Sequence, residues 1–197
     1  MIFVFFILAG LLLGLATGGR ISHLGGREFR GMPLLVIAAL VNVAGGFIAW
    51  KVAPLAPSVR VASLVGVYGL VAWALWTSPG LWRPAVTLLT LGGLLNFLVM
   101  AANAGQMPVD LDLLRAAGKP HLAERIGRGQ AFRHSARTPQ TPLGSLSDVI
   151  PLPRPFNVPS AGDLLLGLGL MLLVWHGVRT PPGAPEGRPA PESEAVG

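Results

Sequence analysis

The chain has 197 residues, of which 52% are hydrophobic and 12% charged, with a mean hydropathy of +0.61 and a net charge of +6. A soluble domain carries about 25% charged residues; half that amount cannot cover a water-facing surface, so lipid must solvate most of this chain. The absence of cysteine excludes disulfides, thiolate nucleophiles and thiolate metal sites, and arginines flanking membrane spans account for the positive charge without nucleic acid.

The first apolar run, Met1 to about Gly19, is long for the core of a signal peptide and lacks a basic leader, so it reads as a retained helix. Within it Gly10, Gly14 and Gly18 recur at every fourth position. They predict a small-residue groove that lets another helix approach closely in lipid. A polar turn with Arg20, His23, Arg27, Glu28 and Arg30 follows. Further spans are expected over about 33–53, 59–78 and 84–103, each near the roughly 20 residues that cross a 30 Å hydrocarbon core. The segments joining these spans fit only tight hairpins, so successive helices pack antiparallel.

Residues 105–159 are polar and read as a long loop, and a fifth span is expected over about 160–177. The tail, 179–197, is rich in Pro, Gly, Ala and Glu and is expected to be disordered. The expected fold is therefore an all-α integral membrane protein. Residues 1–178 form one bundle of five transmembrane helices, with the long loop between helices four and five. The arginines of the first turn place that turn in the cytoplasm by the positive-inside rule. That puts the N-terminus and the long loop outside and the C-terminus in the cytoplasm. Trp50, Trp73, Trp76, Trp82 and Trp175 fall near the expected span ends, where indole rings sit at headgroup depth.

Few polar side chains interrupt the spans. Asn42 and Asn96 each lie near the middle of one, and an amide facing lipid would be unsatisfied, so both should face the bundle interior. They read as interhelical hydrogen bonding or as the polar lining of a buried site. Asn103 and Gln106 end the fourth span just before Pro108, with side chains free to meet a headgroup or sugar. In the loop, Asp110 can cap a short helix that Gly118 ends. The run Val149–Pro159 is apolar, yet its prolines forbid a helix; an extended strip against the mouth of the bundle suits it. Asp148 precedes this strip. Asp163 follows it and fits a capping box with Ser160. Asn103, Gln106, Asp148 and Asp163 are accordingly expected to converge on one interfacial ligand-binding site. His23, His121, His134 and His176 show no metal-binding spacing, and no nucleotide-binding or hydrolase motif is present. No metal, no cofactor and no catalytic residue is assigned.

Three segments together resemble a known family: Asn103-x-Gly105-Gln106-Met107-Pro108-Val109, then Ser147-Asp148-Val149-Ile150-Pro151-Leu152-Pro153, then Ser160-x-Gly162-Asp163. They are similar to the bacterial polytopic membrane proteins grouped as domain of unknown function 5317, with Ala104 and Ser147 standing where glycines are usual. The resemblance implies a helical membrane fold in a bacterial cell membrane and carries no activity. Three functions compete. The chain could bind or transport a lipid or small amphiphile, or act as a structural subunit docking on another membrane protein or on a second copy of itself. A membrane-embedded enzyme with Asp148 and Asp163 as an acid–base pair is the weakest, since nothing supplies a nucleophile or metal.

Overall fold

The structure, a computed structural model, describes residues 2–25, 31–52, 56–154 and 156–181. Arg27, Glu28 and Arg30 of the first turn, the expected end of the second span at Ala53, and the tail from 182 onward lie outside the described residues, as do the side chain of Trp50 and residue Pro155.

The apolar runs form helices α1 (Ile2–Ala16), α3 (Met32–Lys51), α4 (Ala56–Thr77), α5 (Arg83–Ala102) and α8 (Ala161–Arg179), with a single turn, α2 (Ser22–Gly25), after the first. Three segments are long and apolar enough to cross a membrane: Pro57–Thr77, Arg83–Ala102 and Ala161–Arg179. The apolar stretches of α1 and α3, Ile2–Ala16 and Met32–Ile48, are shorter. At 1.5 Å per residue α1 rises only about 22 Å, because the chain turns at Gly18 with φ +85°. Both α3 and α5 carry proline in the first turn, where the missing N–H has no helical partner to lose.

Long-range contacts define the helix directions. A Cβ built on Gly10 would strike the backbone of Met171, and one on Gly14 would meet Val178, so α1 runs parallel to α8. The Gly31 N–H donates to Ser78 Oγ at 3.0 Å, joining the start of α3 to the end of α4. Arg60 Nε donates to the Ala104 carbonyl at 3.1 Å, joining the start of α4 to the end of α5. Packing is dense within the α3–α4 hairpin and where α8 meets α1 and α5, but sparse where α4 meets α5. Glycines set the closest approach: built Cβ atoms on Gly92 and Gly162 would lie 2.6 Å and 2.7 Å from each other's carbonyl oxygens, a backbone-on-backbone contact that only small residues allow.

The segment expected to be a long loop is folded. Strand β1 (Met107–Val109) pairs in parallel with β2 (His134–Ala136), and Asp148 bridges to Val109 on the other side. Parallel strands need a crossover, which helices α6 (Leu111–Ala116) and α7 (Pro120–Gly127) provide. Asp110 caps α6, its carboxylate accepting from the N–H groups of Asp112 and Leu113 at 3.1 Å. Val109, Leu114, Ala123, Ile126 and Val158 bury a small core of their own. This layer covers the end of the bundle at which α5 finishes and α8 begins. The helix α5 leaves into it through Ala104, φ +52°, and Gly105, φ +79°, the left-handed region that favours glycine.

At the opposite end, Trp82 stacks on His176 with rings 5.2 Å apart and meets Trp175 edge-on. Arg83 lies over Trp76 and Arg179 over Trp175. Indoles and guanidinium groups gathered at one level are what a headgroup boundary favours.

Candidate functional site

The polar groups concentrate where the folded layer meets the bundle. Asn96, deep in α5, is 5% exposed. Its amide donates to Asp163 Oδ1 at 2.8 Å and its carbonyl accepts from Ser160 Oγ at 2.8 Å. Ser160 and Asp163 close a capping box at the start of α8, the Asp163 N–H donating to Ser160 Oγ at 3.0 Å. One side chain on α5 therefore holds both members of a cap on α8, with no atom to spare for lipid.

Asp148 lies against the same region. Its backbone is fully used, donating to the Pro108 carbonyl and accepting from the Asp110 N–H, each at 3.0 Å. Its side chain is 8% exposed and Oδ1 is buried with no hydrogen-bond partner. Burial pushes the carboxyl up to about 8, and the nearby charge of Asp163 adds to the effect. It is thus protonated at neutral pH. His134 on β2 is held neutral for the same reason: burial lowers its affinity for a proton, against a smaller pull upward from Asp163.

The amide nitrogens of Asn103 and Gln106 hold backbone carbonyls. Asn103 Nδ2 donates to the carbonyls of Val99 at 2.7 Å and Pro142 at 3.0 Å. Gln106 Nε2 reaches the carbonyls of Ala131, Phe132 and His134 at 3.1–3.3 Å. Of the four residues expected to converge, Asp148 and Asp163 are brought into electrostatic contact, while the two carboxamides tie down loop backbone. Among the glycines, Gly10 and Gly14 face α8. Gly18 has nothing within 4 Å of a built Cβ and lies beyond the end of α1, where its role is the positive φ.

Asn42 leads to a feature absent from the sequence reading. Arg133, immediately before β2, donates from Nη2 to Asn42 Oδ1 near the middle of α3. The guanidinium also lies 4.9 Å over the ring of Phe132, which packs near Gly46. Arg133 and Asn42 line a cavity of about 340 Å³ that includes Tyr68 and Met100. A second cavity of about 640 Å³ adjoins it, the two sharing Leu35, Val67, Tyr68 and Val71 as walls. The larger one occupies the sparse seam between α4 and α5 and is lined almost wholly by apolar side chains, among them Val65, Leu75, Leu89, Phe97 and Leu170. Its volume lies within the roughly 300–1,000 Å³ of small-molecule sites. Between residues 65 and 75 of α4 it extends about 15 Å by helical rise.

Arg133 could not be singled out in a loop holding several arginines, since its significance comes from contact with a residue 91 positions away. The one available signal was Asn42 itself, a mid-span amide requiring a partner. Among the described residues no cluster of His, Asp or Glu can hold a metal ion.

No curated protein and no solved structure matches the chain. A family model matches residues 27–175, and the chain belongs to the Family of unknown function (DUF5317).

Proposed function

We propose that the protein binds a lipid or small amphiphile within the membrane, its chain in the seam between α4 and α5 and its headgroup beside Arg133 and Asn42. The observation that carries this reading is the adjacency of the two cavities: an apolar one long enough for an acyl chain and a smaller one with a polar wall at the headgroup end. Such a pair matches an amphiphile end for end. The alternative, a subunit that docks on another membrane protein through its glycine face, is less well supported. Gly10 and Gly14, the residues that would form that face, are already covered by α8.

In this reading α1 and α3 cross the bilayer along with α4, α5 and α8, because each lies alongside a helix of spanning length. The protein is then a multi-pass protein of a bacterial cell membrane. Its N-terminus and folded layer lie outside and its C-terminus lies in the cytoplasm.

Gly69 provides the test. It lines the large cavity, and a Cβ built on it meets nothing within 4 Å, so a side chain can start there without backbone strain or clash and should narrow the seam. Gly69→Phe should retain the thermal stability of the parent in detergent and reduce binding of added phospholipid, followed by native mass spectrometry, by an order of magnitude. Undiminished lipid binding by a stably folded Gly69→Phe protein rejects the reading.

A further inference from the structure

The mouth of the seam has a definite sign of charge. Arg133 enters it with Asn42 as hydrogen-bond partner, and no carboxylate pairs with it among the described residues; the ion pairs there are Arg115–Asp112, Arg128–Glu124 and Arg137–Asp110. A second guanidinium, Arg60, is close enough to oppose the charge on Arg133, and its own Nε is engaged by the neutral Ala104 carbonyl. Burial, first, and then Arg60 lower the proton affinity of Arg133, with Tyr68 acting in the opposite sense. A half-buried cation in that position lacks a counter-charge among the described residues. No carboxylate is among the groups that act on its charge. Asp148 is protonated at neutral pH, and Asp163 is held by Asn96 and its own cap.

Resting on the amphiphile reading, we propose that the seam selects a net-anionic phospholipid. Its phosphate lies against Arg133, flanked by Asn42 and Tyr68, and one of its two acyl chains runs along α4 toward Leu75. The planar guanidinium can donate two parallel N–H bonds to phosphate oxygens, and the anion offsets the repulsion from Arg60. A zwitterionic headgroup adds its own ammonium beside these two cations and gains less.

The whole protein in detergent is titrated with phosphatidylglycerol and with phosphatidylcholine of the same chains, and bound lipid is counted by native mass spectrometry. Phosphatidylglycerol should bind roughly fivefold tighter or better, the order that one interfacial arginine contributes. Arg133→Gln should abolish that preference while leaving phosphatidylcholine bound as before, and Arg133→Lys should restore part of it. Arg115→Gln, on an exposed pair with Asp112, should leave the preference intact. Equal binding of the two lipids by the parent, a preference that survives Arg133→Gln, or displacement of lipid by inorganic phosphate alone would each overturn the proposal. If the two lipids bind equally but Gly69→Phe excludes both, only the headgroup assignment fails. If neither lipid binds to the parent, the amphiphile reading fails with it.

Discussion

Asn96 on α5 donates to Asp163 on α8 at 2.8 Å while accepting from Ser160 at 2.8 Å. This amide joins two helices in a place where water cannot replace it. Removing it takes the donor from Asp163 Oδ1 and the acceptor from the Ser160 hydroxyl, leaving both with only the capping bonds at the start of α8; a hydrogen bond to a charged group is worth about 1.5–3 kcal/mol. Asn96→Leu should therefore lower the thermal midpoint in detergent by several degrees. Gly162→Ala should do the same by another route, since its Cβ would fall on the Asn96 side chain and overpacking typically costs about 1–3 kcal/mol. If both variants melt with the parent, the network is not holding α5 to α8.

Asp148 makes stability depend on pH. The carboxyl ionises near 3.9 in an unfolded chain but only near 8 when buried here. Between those values the folded chain holds a proton that the unfolded chain has released. The contribution is fully present below about pH 4, declines at up to about 1.4 kcal/mol per pH unit, and is lost above the folded value. Asp148→Asn removes the titration. Melting curves from pH 5 to pH 9 should fall steeply for the parent and more gently for the variant, which should be the more stable of the two at pH 9. Parallel pH profiles would contradict this.

Glycine has two roles in and just after α1, and they can be separated. Gly10→Ala should destabilise by about 1–3 kcal/mol through overpacking, because its Cβ meets the backbone of Met171, which cannot rotate away. Gly18→Ala meets open space but sits at φ +85°, and should lose about 1 kcal/mol to backbone strain. Gly25→Ala, with open space and no such φ, should be neutral. Equal melting temperatures for Gly10→Ala and Gly25→Ala would show that α1 does not pack tightly on α8.

The proposed orientation can be read with single cysteines, since the chain has none of its own. Ser22 opens the exposed single turn α2 that follows α1, and Gln140 lies on the exposed surface of the folded layer. In intact cells Gln140→Cys should react with an impermeant thiol reagent and Ser22→Cys should not. The reverse pattern would invert the protein, and labelling of both would remove α1 from the set of spanning helices.

Composition and hydropathy determined that this chain carries helices apolar enough to cross a membrane and where most of them lie, because suitability for hydrocarbon is a property of each segment and can be read one window at a time. Local signals were equally legible: Asp110 capping α6, Ser160 and Asp163 closing the start of α8. What depended on distant partners was not. Polar composition marked residues 105–159 as a loop, yet the fold buries Val109, Leu114 and Val158 together, a core too small to change the average hydropathy. That the amide nitrogens of Asn103 and Gln106 hold loop carbonyls was equally invisible. Arg133 looked like one solvated arginine among several until it met Asn42. A hydrogen bond across the chain leaves no periodic trace in the sequence, so only the tertiary structure could decide which amide was structural and which guanidinium stood at the mouth of a cavity.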